Sequence, residues 1–196
     1  MTPFVSTEAR WMSFIDGENF TLRGQDLATK HKVALHGEWY LPDTFLWMPG
    51  FGPRNAPRRL QDFGFIAPAR RAYYYTSTVG DDEKVKSIRE HLHKHGFHPE
   101  VFKKPKGHEK SKGVDITLTK DMLSHAFMNN YDGALLVAGD GDYVPLVREV
   151  KRLGKTVGVA FFEESGAGLN DELRLSADVF DPIDATFVDR WRGSGR

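Results

Sequence analysis

The sequence contains no cysteine, which excludes disulfides and thiolate metal sites and fits a reducing compartment. No apolar run approaches the roughly 20 residues needed to span a membrane. The opening segment, MTPFVSTEARW, carries an acid and no long apolar stretch, so no secretory signal is expected there. Charge of one sign is not in excess: 27 Lys and Arg balance 27 Asp and Glu. Only the placement of charge, not its total, can then draw in a polyanion. These absences lead us to expect a soluble, cytoplasmic chain with no membrane association.

What is present suffices for a buried core: 40% of the 196 residues are hydrophobic, a length suited to one domain. Apolar stretches alternate with helical patterns. Trp11–Asp16, residues 71–78 and Gly133–Ala138 read as strands, the last as one buried on both faces. Residues 97–102, 155–162 and 179–183 extend the series, the final one as an edge strand. Helices are expected near Glu18, over 81–95 with Val85, Ile88 and Leu92 as its stripe, over 114–129, from Tyr143 to Leu153, and over 169–177. This rhythm predicts an α/β fold with a parallel sheet and helices on both faces. Residues 36–65 break it. With Trp39, Tyr40, Trp47, four prolines and four glycines, they look like an insertion into a single domain spanning 1–196.

In parallel α/β sheets, sites form beyond the carboxyl ends of the strands. Asp16 ends the first strand in FIDGEN, Asp140 follows the strand GALLVA in GDGDY, Asp142 opens the next helix, and Asp115 starts the helix after a lysine-rich loop. Carboxylates about 5 Å apart repel by roughly 3 kcal/mol per pair at an effective dielectric near 20. A converging set therefore calls for a cation, and hard oxygen ligands suit Mg²⁺ or Mn²⁺, which orient phosphate and activate water. Each acid also has a plain structural reading. Asp16 and Asp142 can cap helices, Asp115 complements a helix dipole, and Asp140 fits a Gly-Asp-Gly turn.

The segments FIDGEN, KGVDITLTKDML and DGALLVAGDGDYVPLVREVKRLGKTVGV resemble, in order, the motifs of the NYN family, in the LabA-like branch of the PIN-like nucleases. The resemblance covers most of residues 11–30 and 110–183. It implies a Rossmann-like three-layer α/β/α fold with a central, mostly parallel sheet, a divalent-metal site and RNA as substrate. Asp16 matches the family's first-strand acid, Asn19 the asparagine of its D-x-x-N, Asp115 the acid of the KGVD helix, Asp140 and Asp142 the paired acids of G-D-G-D, and Lys112 the lysine before that helix. The resemblance thus implies a metal-dependent ribonuclease in which Asp16, Asp115, Asp140 and Asp142 hold the ion and Asn19 orients a carboxylate or water. In-line attack by water would leave a 5′-phosphate and a 3′-hydroxyl. Two departures stand out: the 36–65 insertion is long, and Ala138 occupies a place where serine is common.

Other features compete. Lys103, Lys104, Lys110 and Lys112 belong to a stretch with five lysines and one glutamate, able to follow a nucleic-acid backbone or simply to be solvated. Arg54, Arg58, Arg59, Arg70 and Arg71 form a second basic region. Trp39, Tyr40, Phe45 and Trp47 either stack bases or, by the commoner use of such residues, build a local core or a homodimer interface. His91, His93, His95 and His98 lack zinc-ligand spacing and suit a helix C-terminus. Asp121 lies about 120° around the helix from Asp115. A non-catalytic RNA-binding or scaffold protein is the main alternative. An aspartyl phosphatase is weaker, because Glu18 stands where its second acid is needed and no matching lysine motif follows.

Overall fold

The computed structural model describes residues 9–105, 112–164 and 168–194. Its central sheet is built from β1 (Trp11–Asp16), β4 (Ala72–Thr78), β5 (His98–Lys103), β6 (Gly133–Val137), β7 (Thr156–Phe161) and β8 (Val179–Pro182). These lie side by side as β5-β4-β1-β6-β7-β8, every neighbouring pair parallel. The chain thus winds outward from β1 in one direction, returns to its other side at β6, and winds outward again. β1 and β6 flank the point where the strand order reverses, and there the loops leaving the strands part to open a crevice.

Helices cover both faces. On one side α1 (Gly17–Lys30), α3 (Asp82–Lys94) and α7 (Asp184–Gly193) pack on Trp11, Ile15, Tyr74, Val101, Leu135 and Val137. On the other, α4 (Lys112–Phe127), α5 (Val144–Arg152) and α6 (Asp171–Ser176) pack on Met12, Phe14, Tyr73, Tyr75, Ala134 and Leu136. The alternation along β1 is the period-two geometry of a strand, hidden in the sequence because both faces are apolar. It sets Asp16 on the face of Met12 and Phe14, under α4 and α5. The buried stripe of α4, Val114–Leu118–Met122–Ala126, repeats every four residues as expected of a helix with one covered face.

The elements read from sequence are present, with ends shifted by at most two residues. α7 was not anticipated, although Phe187, Val188 and Trp191 form its buried stripe. Asp184 at its start accepts hydrogen bonds from the backbone of Glu163 and Glu164, tying the exit of β7 to this helix.

The 36–65 segment is not a loose excursion. It forms a short antiparallel pair, β2 (Tyr40–Leu41) and β3 (Phe45–Leu46), then α2 (Arg58–Gln61). Phe45, Leu46, Trp47, Met48, Leu60 and Phe65 are buried in the chain's own core. Trp47 lies 5.4 Å from Phe20 and 5.3 Å from Phe97, ring to ring, and Phe45 lies 5.3 Å from Tyr74. Phe45 and Trp47 are therefore core residues and offer no face to a base. Trp39 stacks edge-on against His95 at 4.7 Å.

Candidate metal and phosphate site

Asp16 is the last residue of β1 and the N-cap of α1: its Oδ1 accepts the backbone N–H of Asn19 at 3.0 Å. Structural and site roles coincide in this residue, since capping uses one carboxylate oxygen and leaves the other. That second oxygen, Oδ2, accepts a hydrogen bond from the Tyr143 hydroxyl at 3.0 Å. The same hydroxyl lies 3.0 Å from Asp115 Oδ1, in the first turn of α4. The two carboxylate oxygens can thus be no farther apart than twice that distance. Asn19 adds a second tie, its Oδ1 accepting the backbone N–H of Gly139 at 2.9 Å and locking the start of α1 to the end of β6.

Asp140 caps the short 3-10 turn Gly141–Tyr143 through the backbone N–H of Asp142 at 3.2 Å. It lines, with Asp16, Glu18, Asn19, Arg23, Asp115 and Asn170, a cleft of about 360 Å³ beyond the carboxyl ends of β1 and β6. Close backbone approach requires Gly17 and Gly139 here. A Cβ on Gly17 would stand 2.7 Å from the Tyr75 carbonyl oxygen, and one on Gly139 2.9 Å from that of Gly168.

The electrostatics follow from burial. Asp16 is only 3% exposed. Loss of water pushes its carboxyl up to about 7, the N–H of Asn19 pulls it back down, and the charge of Asp115 adds to the rise. Tyr143 is held far above its ordinary value by burial and by the two carboxylates, so it keeps its proton. One hydroxyl proton cannot serve both carboxylates. Acids from β1 and α4 thus meet at one hydroxyl at the edge of the cleft, an arrangement that a cation could stabilise.

Glu18, 8% exposed, also lines the cleft, where Ser77 Oγ donates to its Oε1 and Lys104 Nζ lies 3.4 Å away. Among the described residues no three Asp, Glu or His side chains form a ready-made metal cage.

Four of the residues singled out from sequence, Asp16, Asn19, Asp115 and Asp140, share this cleft. Asp142 is exposed and not among the residues lining it. Lys104 sits at the rim through Glu18, whereas Lys103 is exposed and paired with Asp82 at 3.0 Å. Lys110 and the side chain of Lys112 lie outside the described residues. Asp121 accepts from Tyr75 at 3.2 Å and pairs with Lys120, away from the cleft. Tyr143, Arg23 and Asn170 were missed as site residues, and Glu18 was weighed only as a second acid beside Asp16. Only Tyr143 had a sequence signal, three positions after Asp140 in GDGDY, and it was read there as part of an apolar stripe. Of the histidines, His91 and His95 do meet, rings 4.6 Å apart at a spacing of four. Their contacts are Glu38 and Trp39, as structural residues.

The sequence profile described as the NYN domain matches residues 10–184, without singling out the LabA-like branch. No curated protein matches the chain. Among solved structures, a protein of unknown function from Vibrio parahaemolyticus superposes with a TM-score of 0.57, is 20% identical, and covers 93% of this chain and 98% of its own. At that identity the likeness speaks for the fold. No helix among the described residues is long and apolar enough to cross a membrane.

Proposed function

Because the chain belongs to the NYN domain family, a nuclease-like family, we propose that it is a divalent-metal-dependent ribonuclease acting at the Asp16–Asp115–Asp140 cleft. The observation that carries this reading is the single Tyr143 hydroxyl between Asp16 and Asp115, at 3.0 Å from each. The arrangement gathers acidic oxygens from two separate elements around one point beside the cleft that Asp140 also lines. Asp16, Asp115 and Asp140 would hold Mg²⁺ or Mn²⁺. Such an ion keeps several waters and needs only one or two carboxylates directly, which fits a site without a closed protein cage. When bound, the ion supplies charge stabilisation at a phosphoryl oxygen and lowers the pKa of a water.

The chain's own residues do the positioning. Asn19 fixes Asp16 by its N–H and Gly139 by its side chain, so both strand ends hold their relative place. Tyr143, kept protonated, orients the two carboxylates. Arg23, which lines the cleft, and Lys104, which approaches Glu18 at its edge, would meet phosphate oxygens of the RNA. RNA is the substrate we assign, in line with the family resemblance.

One observation favours a second reading. The absence of a preformed cage among the described residues suits a protein that binds RNA on this fold without cutting it. Incubation of single-stranded RNA and of DNA with Mn²⁺ or EDTA, using wild type and Asp140→Asn, separates the two. Cleavage of RNA that needs Mn²⁺ and disappears in the variant supports the ribonuclease. RNA bound but left intact under every metal condition supports the binding protein.

A further inference from the structure

At the other end of the sheet, Arg54, Arg70 and Arg71 line a second cleft, of about 480 Å³, with Met12, His125 and Asn130. β1 and β4 run in parallel with Ser13 beside Ala72 and Asp16 beside Tyr75. Arg71 therefore stands at the entrance of β4, next to Met12, and Asp16 lies four residues further on, roughly 13 Å at 3.3 Å per residue. α4 spans the same interval in reverse. Asp115 in its first turn faces the acidic cleft, and His125, ten residues later, borders the basic one, roughly 15 Å away along the axis. Three arginines of the second basic region thus lie at the opposite edge of the sheet from the acids.

Among the described residues no carboxylate lines this cleft. Asp132, at the same edge, is held by Arg10 at 2.6 Å, and Asp121, near His125, is engaged by Lys120 and Tyr75. The positive side is built rather than loose. Arg71 Nη1 donates to the Tyr73 hydroxyl at 3.0 Å, the same hydroxyl is 3.0 Å from His125 Nε2, and the Asn130 amide donates to His125 Nδ1 at 2.9 Å. Arg54 Nε donates to the Ala69 carbonyl. Burial, with the charge of Arg71 next, lowers the pKa of both His125 and His98, Asp121 opposing the shift at His125.

We propose that this cleft is a phosphate-binding site. Clustered guanidinium groups repel one another unless an anion sits among them, and their planar forks match the oxygens of phosphate. The cleft, about 480 Å³, has room for a phosphate that carries an ester group. It is either the phosphodiester of a polynucleotide or a free phosphomonoester. This assignment does not depend on the nuclease reading.

The test uses the full chain in EDTA, titrated with inorganic phosphate, with a nucleoside monophosphate and with a twelve-nucleotide single-stranded RNA, each followed by the NMR signals of the His125 ring and the Asn130 amide. Arg70→Glu is the primary variant, because Arg70 is exposed and no side-chain partner is seen for it among the described residues. Arg71→Gln is the second. All three ligands are expected to shift both signals, and Arg70→Glu to weaken each at least tenfold with an unchanged melting temperature. RNA binding more than tenfold tighter than the monophosphate identifies a polynucleotide site, and equal affinities a phosphomonoester site. Asp140→Asn, which reports on the acidic cleft, must leave this binding intact. Unmoved His125 and Asn130 signals, an Arg70→Glu affinity equal to wild type, or loss of binding in Asp140→Asn would each overturn the proposal.

Discussion

The hydroxyl of Tyr143 donates to Asp16 Oδ2 at 3.0 Å, joining the end of the first strand to a turn after the fourth strand of the sheet. Because Asp115 Oδ1 is equally close to that hydroxyl, Tyr143 sets the spacing of both carboxylates. Tyr143→Phe keeps the buried ring and removes the donor. Supporting hydrogen bonds of this kind are worth about 10- to 100-fold in metal affinity or activity. Mn²⁺ affinity by calorimetry and the RNA cleavage rate should fall within that range while the far-UV spectrum stays the same. A variant with wild-type Mn²⁺ affinity would remove Tyr143 from the site.

The buried carboxyl of Asp16 makes stability depend on pH with a defined sign. Its folded value is about 7 against an ordinary 3.8. Below the ordinary value it is protonated in both states and its contribution is complete. As pH rises toward 7 the unfolded chain releases the proton first, so stability falls, and above 7 the loss is complete. At about 1.4 kcal/mol per pH unit the loss is roughly 4 kcal/mol. Asp16→Asn can still cap α1 and lacks this dependence. Urea unfolding in EDTA at several pH values should therefore show the variant gaining on wild type between pH 4 and 7. Mn²⁺ at pH 8 should stabilise wild type alone. Parallel pH profiles for the two proteins would contradict this account.

Much of this site was legible because strand ends and helix starts carry local signals. Asp16 closes an apolar run, and Asp140 follows another and sits in a Gly-Asp-Gly turn. Both signals survive folding, since a parallel strand must end where its loop leaves the sheet. Tyr143 illustrates what was hidden. An aromatic residue on an apolar stripe reads as core, and it is core; its hydroxyl matters only because Asp16 and Asp115, remote in sequence, arrive beside it. The position of Arg71 was hidden for the same reason: nothing local says which end of the sheet a basic residue will occupy until the parallel register of β1 and β4 is known. α7 carries its stripe of Phe187, Val188 and Trp191 directly after the apolar run of β8, with one residue between the two elements, so no turn or loop signal separates them.

Asp140 and Asp142, paired in the motif, are separated by the structure into a cleft residue and an exposed one. Asp115→Asn and Asp140→Asn should each lower metal-dependent cleavage by about a thousandfold, as loss of several kcal/mol of charge stabilisation implies. Asp142→Asn should stay within about tenfold of wild type, which is less than 1.4 kcal/mol. Single-turnover cleavage in saturating Mn²⁺ measures all three. Equal losses at 140 and 142 would show that the turn rearranges to bring Asp142 inward.

Lys103 and Lys104 are adjacent in sequence and differ in setting. Lys103 pairs with Asp82 on the surface, whereas Lys104 approaches Glu18 at the cleft. If single-stranded RNA runs across this rim, Lys104→Ala should reduce the slope of log affinity against log salt by about 0.7, one phosphate contact. Lys103→Ala should change it less. Binding measured in EDTA across a salt series gives both slopes. An unaltered slope in Lys104→Ala would take this lysine out of the RNA path.

The segment 36–65 reads as an insertion whose aromatics most often build a local core or an interface, and in the structure it is part of the layer that holds β1 and α1. Trp47 is 3% exposed, packed edge-on to Phe97 and against Phe20 of α1, and its indole N–H donates to the Phe51 carbonyl at 2.8 Å. Phe20 lies one turn after Asp16, so a void beneath it loosens the very helix start that Asp16 caps. Trp47→Ala should destabilise the fold by about 3–5 kcal/mol, read from urea midpoints. In the population still folded it should also weaken Mn²⁺ binding. Trp47→Phe fills most of the space and should lose less of both. Were the segment an independent appendage, Trp47→Ala would leave the main unfolding transition and the Mn²⁺ affinity where they stand in wild type.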